Sequence, residues 1–167
     1  MSGERLWSPW RMAYIRSAGG GADQGCIFCE LPAAGDDEGN LVLGRGRLTF
    51  ALLNRYPYNP GHLMIAPFRH VGDLGELRAD ELAEAMAFAQ AALAALRAAS
   101  APHGFNLGIN LGEVAGAGIA DHVHLHVVPR WGGDTNFMPI VGQTKVLPEL
   151  LAETWASLRP HLQDGPC

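Results

Sequence analysis

Apolar and polar residues alternate most strictly in HVHLHVVPRW, where Val123, Leu125 and Val127 interleave with His122, His124 and His126. A two-residue period predicts a β-strand with three imidazoles on one face and a core face opposite. Two further runs, Leu48 to Asn54 and His62 to Pro67, flank the turn-rich RYPYNPG and predict a hairpin. Residues 80 to 98 place Leu82, Met86, Ala89, Leu93 and Leu96 at helical spacing in an alanine-rich segment, which predicts the main helix with that stripe as its core face.

Residues 105 to 111 alternate Phe105, Leu107, Ile109 and Leu111 against Asn106, Gly108 and Asn110, a strand whose small polar face would border the histidines. Pro148 is placed to start a final helix carrying Leu151, Trp155 and Leu158, and Pro160 to end it. Residues 1 to 25 read as an aromatic arm and linker, with Trp7, Trp10 and Tyr14 either stacking on a base or docking on the body or a second subunit. Strands grouped apart from helices give an α+β antiparallel sheet.

Three histidines on one strand face have limited uses. Alternate Cα atoms are about 6.7 Å apart, so the outer pair is about 13 Å apart and cannot share one ion with the middle one. Two of them sharing a metal, or a chance run on an exposed strand, are the alternatives. Neutral imidazole, with an ordinary pKa of about 6.5, is a competent nucleophile and leaving group near pH 7. A histidine can therefore accept a phosphorus centre and pass it on.

The chain has 167 residues, 48% of them hydrophobic, enough for one domain with a sizeable core. Seventeen acids against twelve bases, net −5, argue against a nucleic-acid or anionic-membrane partner. The only lysine, Lys145, follows no phosphate-binding glycine loop, which discounts Schiff-base and Walker-type chemistry. No apolar stretch is expected to span a bilayer, and the N-terminal residues Glu4, Arg5 and Pro9 lack a signal-peptide core, so the expected location is the cytoplasm.

Cys26 and Cys29 form a C-x-x-C, and Cys167 leaves an odd count that argues against a disulfide framework. Structural zinc, unligated core cysteines and a redox pair are the three readings, and the glycine-rich SAGGGADQG before CIFC supplies no thioredoxin-like βαβ setting. The loop GEVAGAGIAD before the histidine strand carries Gly116 and Gly118, whose backbone N–H groups could converge on phosphate oxygens; a plain turn is the alternative.

The pattern His-apolar-His-apolar-His-apolar-apolar resembles the histidine triad (HIT) superfamily of nucleotide hydrolases and transferases. LWSPWRMAYI, CIFC, FALLNRYPYNPGHLMIAP, GFNLGINLG and RWGGDTNFMPI extend the resemblance to the bacterial branch containing diadenosine tetraphosphate phosphorylases. It implies a HIT-like fold over a single domain, residues 26 to 167, with about five antiparallel strands, a main helix and a C-terminal helix. It implies His124 as nucleophile, flanked by His122 and His126, with Leu52 near the base, Asn54 at the ribose, and His62 and Asn110 lining the nucleotide pocket. Gly116 and Gly118 would meet phosphate, and Trp131 would shape the phosphate end. Asn54 as a turn former, His62 as a surface histidine and Trp131 as a core residue are the ordinary alternatives.

The same resemblance implies structural Zn2+ on Cys26, Cys29, His70 and His122, with no organic cofactor. It implies adenine nucleotides and inorganic phosphate as partners, and a homodimer or larger homo-oligomer. The implied reaction is phosphorolysis of diadenosine tetraphosphate through a histidine-AMP intermediate. Hydrolysis releasing AMP, and a nucleotide-binding signalling module with negligible turnover, are the alternatives. The chain departs from the branch at Ala117–Gly118, where the phosphorylase type carries a glycine–serine pair, so a hydroxyl contact to phosphate is missing.

Overall fold

The structure, a computed structural model, describes residues 25 to 134 and 149 to 166. The aromatic arm, Lys145, Pro148 and Cys167 lie outside the described residues.

The chain runs α1 (Ile27–Ala33), β1 (Val42–Arg45), β2 (Thr49–Leu53), β3 (Leu63–Pro67), α2 (Ala79–Ser100), β4 (Gly104–Ile109), β5 (Leu125–Arg130) and α3 (Leu151–Leu162). The five strands form one antiparallel sheet in the order β1-β2-β3-β5-β4. The expected α+β architecture is present, with the hairpin β2–β3 paired from Thr49 opposite Pro67 to Leu53 opposite Leu63. At its turn Gly61 has φ +79°, and a Cβ there would lie 2.7 Å from Leu96 Cδ2, so glycine meets both the backbone and the packing requirement.

Strand parity divides the sheet into two faces. Leu43, Ala51, Leu53, Leu63, Ile65 and Val127 pack beneath Phe88, Ala92 and Leu96 of α2 and Leu158 and Leu162 of α3. Val42, Phe50, Leu52, Met64 and Ala66 face the other way and are covered by Phe28 of α1. The histidines share this second face, since His126 lies opposite Met64 on β3 and Gly108 on β4.

Three expectations are corrected. Ala89 and Leu96 are buried as expected and Leu93 packs against the core, but the buried stripe of α2 also takes in Glu81, Phe88, Ala92 and Ala95 and leaves out Leu82 and Met86, which are 38% and 54% exposed. Phe88 and the alanines set the phase: small residues let the helix approach the sheet and one aromatic fills the gap, which a larger stripe does not allow.

Of the expected apolar residues only Phe105 joins the helix-side core; Leu107, on the edge strand β4, is 42% exposed, and Leu111, beyond the end of that strand, is 41% exposed. Pro160 does not end α3, which continues to Leu162. Proline in the last turn forfeits one backbone bond. Arg159, bonded to the Leu43 carbonyl and Asp37, and the buried Leu162 hold that turn in place.

The absence of a span-length apolar stretch also needs correction. α2, at 22 residues, is long and apolar enough to cross a membrane by length and composition. Its alanine content explains this, and the helix packs along the sheet.

Candidate active site

The C-x-x-C begins α1. Cys26 is the residue before the first helical turn, and its carbonyl accepts from the Cys29 and Glu30 N–H groups, which brings both thiols to one side. Cys26 Sγ lies 3.2 Å from His122 Nδ1, Cys29 Sγ 3.4 Å from His70 Nδ1, and Cys29 Sγ 3.7 Å from His122 Nδ1. All four ligand atoms fall within 4.8 Å of one another. Tetrahedral Zn–S and Zn–N bonds of about 2.3 and 2.1 Å give ligand–ligand edges of about 3.6 Å, so the donor set fits such an ion. His122 Nε2–H donates to the Pro67 carbonyl at 2.9 Å, which leaves Nδ1 as the lone pair aimed at the thiols. Burial, then the neighbouring Cys26, pushes the Cys29 thiol up, and a cation between them would relieve both effects. The structure thus brings together the four residues expected to hold metal.

Just after this cluster comes His124, 5% exposed, with its Nδ1 2.8 Å from the His122 carbonyl. A carbonyl only accepts, so Nδ1 carries the proton and Nε2 carries the lone pair. Burial lowers the His124 pKa, partly offset by the His122 carbonyl, so the ring is neutral at pH 7. Phe28, between the two cysteines, packs at 4.6 Å from the His124 ring and 5.3 Å from that of His122. Phe28, in the turn that carries the two thiols, therefore also packs the His124 ring.

The third histidine is held by a fourth. His62 is fully buried, its Nδ1 accepts the Tyr58 N–H at 3.1 Å, and its Nε2 lies 3.0 Å from His126 Nδ1. Because Nδ1 of His62 must accept, its proton sits on Nε2 and is donated to His126. His126 Nδ1 is then the acceptor, and its own proton sits on Nε2. A chain of two tautomers thus begins at one backbone amide and ends as an N–H donor beside His124, whose ring is 4.8 Å away. Tyr58 stacks on His62 at 5.0 Å and 11°, which fixes the ring plane.

The glycine loop closes the site. Gly112 and Gly116 take φ +77° and +88°, and Asn110 Nδ2 donates to the Gly116 carbonyl at 3.3 Å. Gly116, Gly118 and Ile119 line a cavity with Phe28, Asn54, Tyr56, Tyr58, Met64, His124 and His126. Asn54 Oδ1 accepts the Tyr56 N–H at 2.9 Å, so Asn54 forms the turn and also lines the cavity.

Three expected pocket residues stand elsewhere: His62 is fully buried behind His126 instead of lining the cavity. Leu52 is 2% exposed in the layer with Phe28 and Phe50, and its cross-strand neighbour Met64 takes the lining position. Trp131 sits on the helix side, donating Nε1–H to the Ser100 carbonyl at 3.2 Å. Parity is the reason: His126, Val128 and Arg130 face the site, so Val127, Pro129 and the position after Arg130 face away. Asn110 lines an adjoining cavity rather than the one at His124.

Phe28, Tyr56, Tyr58, Met64 and Ile119 were not singled out from the sequence. The aromatic residue inside CIFC and the tyrosines of RYPYNPG were the available signals.

A buried neutral histidine with its far nitrogen tied to a carbonyl, a second histidine presenting N–H, and a glycine loop opposite define a phosphorus-transfer site. The sequence model of the HIT domain matches residues 38 to 133, and the chain belongs to this family. It is 50% identical over 157 residues to the AP-4-A phosphorylase of Mycobacterium tuberculosis, covering 90% of this chain and 80% of that protein. It is 30% identical over 113 residues to an uncharacterized HIT-like protein of Saccharolobus solfataricus, covering 68% and 79%. Among solved structures, a Zn-bound histidine triad family protein from Mycobacterium smegmatis superposes with TM-score 0.67 at 25% identity, covering 82% of this chain and 92% of that one.

Proposed function

We propose that the protein is a nucleotidyltransferase that phosphorolyses diadenosine tetraphosphate to ATP and ADP through an adenylylated His124. The observation that carries this is the His124 ring: neutral, buried, with Nδ1–H on a carbonyl and Nε2 open to the cavity. The 50% identity to a phosphorylase supports the substrate and the acceptor.

In the first step the Nε2 lone pair forms a bond to the α-phosphorus, and the bond from that phosphorus to the bridging oxygen breaks, releasing ATP. The ring becomes positive. Its Nδ1–H stays on the His122 carbonyl, which stabilises that charge. In the second step an oxygen of inorganic phosphate attacks the same phosphorus, the P–N bond breaks, and ADP leaves. His126 Nε2–H and the loop amides bind the charge on the phosphate oxygens in both steps.

Cys26, Cys29, His70 and His122 would hold Zn2+ as a closed four-ligand site. The ion would supply rigidity rather than chemistry, fixing the His122 backbone on which His124 rests.

One observation favours water as the acceptor: Ala117 and Gly118 offer no hydroxyl at the phosphate loop. Supplying 32P-labelled phosphate with diadenosine tetraphosphate decides between the two. Label in ADP, with turnover faster than in phosphate-free buffer, supports phosphorolysis; AMP and unlabelled ATP at the same rate in both buffers refute it.

We also read residues 26 to 167 as one domain that assembles at least as a dimer through the exposed β4 edge, where Leu107 meets solvent. Light scattering at micromolar concentration tests the dimer. The unpaired cysteines of the metal cluster suit a reducing compartment, the cytoplasm, which cell fractionation tests.

A further inference from the structure

The cleft continues past the nucleophile. Beyond His126 a second cavity of about 480 Å3 opens over the β4–β5 face, lined by Tyr58, Asn106, Asn110, Arg130 and Asp134, and it shares Tyr58 and His126 with the cavity at His124. We propose that this cavity binds the distal phosphates of the leaving nucleoside polyphosphate, with Arg130 and Asn106 as donors. The inference rests on the nucleotidyl-transfer reading above.

In-line displacement puts nucleophile and leaving group on opposite sides of phosphorus, so the rest of the substrate leaves on the side away from His124 Nε2 and needs a cavity that adjoins the first, as the one sharing Tyr58 and His126 does. Parity puts Arg130 on the same strand face as His126, four residues further on, about 13 Å away. A chain of phosphates on one side and an arginine side chain on the other close that distance. Among the described residues lining either cavity, Arg130 is the only lysine or arginine. It is there, paired with Asp134, that a guanidinium can offer directed N–H groups to phosphate oxygens.

The hydrogen bonds around Arg130 prepare both donors. Its Nε and one terminal nitrogen bind Asp134 at 2.6 and 2.9 Å, and the other terminal nitrogen donates to Asn106 Oδ1 at 2.8 Å. Three of the five guanidinium N–H groups are used, in a fixed plane, and about two remain for a ligand. With Oδ1 accepting from Arg130, Asn106 can only turn its NH2 group elsewhere, as a donor. Asp134 cancels the guanidinium charge at a distance, so the subsite recognises phosphate oxygens by short directed bonds rather than by net charge.

Asp134 also accepts from the buried Asn59, which holds the Pro129 carbonyl, so Arg130 is part of a clamp on the Tyr58 turn. The experiment must separate recognition from that clamp. Wild type, Arg130→Gln, Arg130→Lys and Asn106→Asp are compared as full chains in single-turnover adenylylation of His124, read by intact mass. Two donors are used: diadenosine tetraphosphate, and adenosine 5′-phosphorimidazolide, which carries the same adenylate and no distal phosphate.

The expected result is that R130Q slows the tetraphosphate reaction about tenfold more than the imidazolide reaction. R130K should fall between, keeping charge but losing the fork, and N106D, which adds a carboxylate among phosphates, should act in the same direction while leaving the Arg130 pair in place. Equal slowing with both donors would assign Arg130 to the clamp and overturn the proposal, as would no selective change in R130Q and N106D. A defect seen only in the phosphate dependence of the second step would give the subsite to the acceptor and also overturn it. Wild type inert with both donors would instead refute the underlying transferase reading.

Discussion

The His62 to His126 contact makes a quantitative demand on the site. His62→Leu keeps a buried apolar volume but removes an acceptor from the Tyr58 N–H and a donor from His126 Nδ1, two groups now bonded at 3.1 and 3.0 Å. Each of these half-buried groups loses a bond worth about 1 kcal/mol, and the apolar gain of leucine offsets part of that, leaving a loss of roughly 1–2 kcal/mol in stability. The ring of His126 also loses the bond that fixes its orientation, and misplacement of one charge-stabilising donor costs about 10- to 100-fold in rate. His62→Gln separates the two effects, since its amide N–H can replace the imidazole Nε2–H toward His126. H62L should therefore lower kcat/KM with diadenosine tetraphosphate about 10- to 100-fold, whereas H62Q should recover most of the rate. Urea unfolding gives the stability change and initial rates give kcat/KM. If H62L turns over within threefold of wild type, or H62Q is no better than H62L, the tautomer chain does not orient His126.

Three other perturbations test separate parts of the structure. His124→Ala should lower turnover by several orders of magnitude with nucleotide affinity within roughly tenfold, and a quenched wild-type reaction should show one adenylyl group on the peptide containing His124; substantial residual turnover refutes the nucleophile. Untagged protein should carry about one zinc per chain by metal analysis, and Cys29→Ser should lose it together with rate, because Phe28 and the His122 backbone lose their anchor; a zinc-free, fully active wild type refutes the role. Glu81, held by Arg69 and Arg78, is drawn down from 4.5 to about 2. Its stabilising effect should be complete above pH 4.5 and gone by about pH 2, so the urea midpoints of wild type and Glu81→Gln should differ at pH 6 and converge by pH 2; an equal gap at both refutes the pairing.

Much of the fold was legible because period carries it. The alternation in HVHLHVVPRW and the paired runs around RYPYNPG specify strands and faces locally, and the observed β2, β3 and β5 follow them. Formal strand β5 begins only at Leu125, so His122 and His124 stand in the approach to the strand, where Val123 N–H bonds the Val71 carbonyl instead of a strand neighbour. On α2 the pattern places Ala89, Leu93 and Leu96 correctly but not Leu82 and Met86, because leucine and methionine outweigh alanine in any hydrophobic pattern, while packing rewards the face that fits. Parity from His126 puts Trp131 on the helix side of the sheet, away from the histidines.

The sequence by itself determined which residues are chemically competent: three imidazoles at period two, a thiol pair one helical turn apart, and glycines able to turn a loop toward phosphate. These follow from spacings of one to four residues, which local backbone geometry fixes. Only the tertiary structure decided their partners. It joined Cys26 to His122 across 96 residues, His62 to His126 across 64, and Asn59 to Asp134 across 75. Those pairings set which imidazole nitrogen holds a proton, and they depend on strand order and register, which no local pattern encodes because the sheet is assembled from segments far apart in the chain.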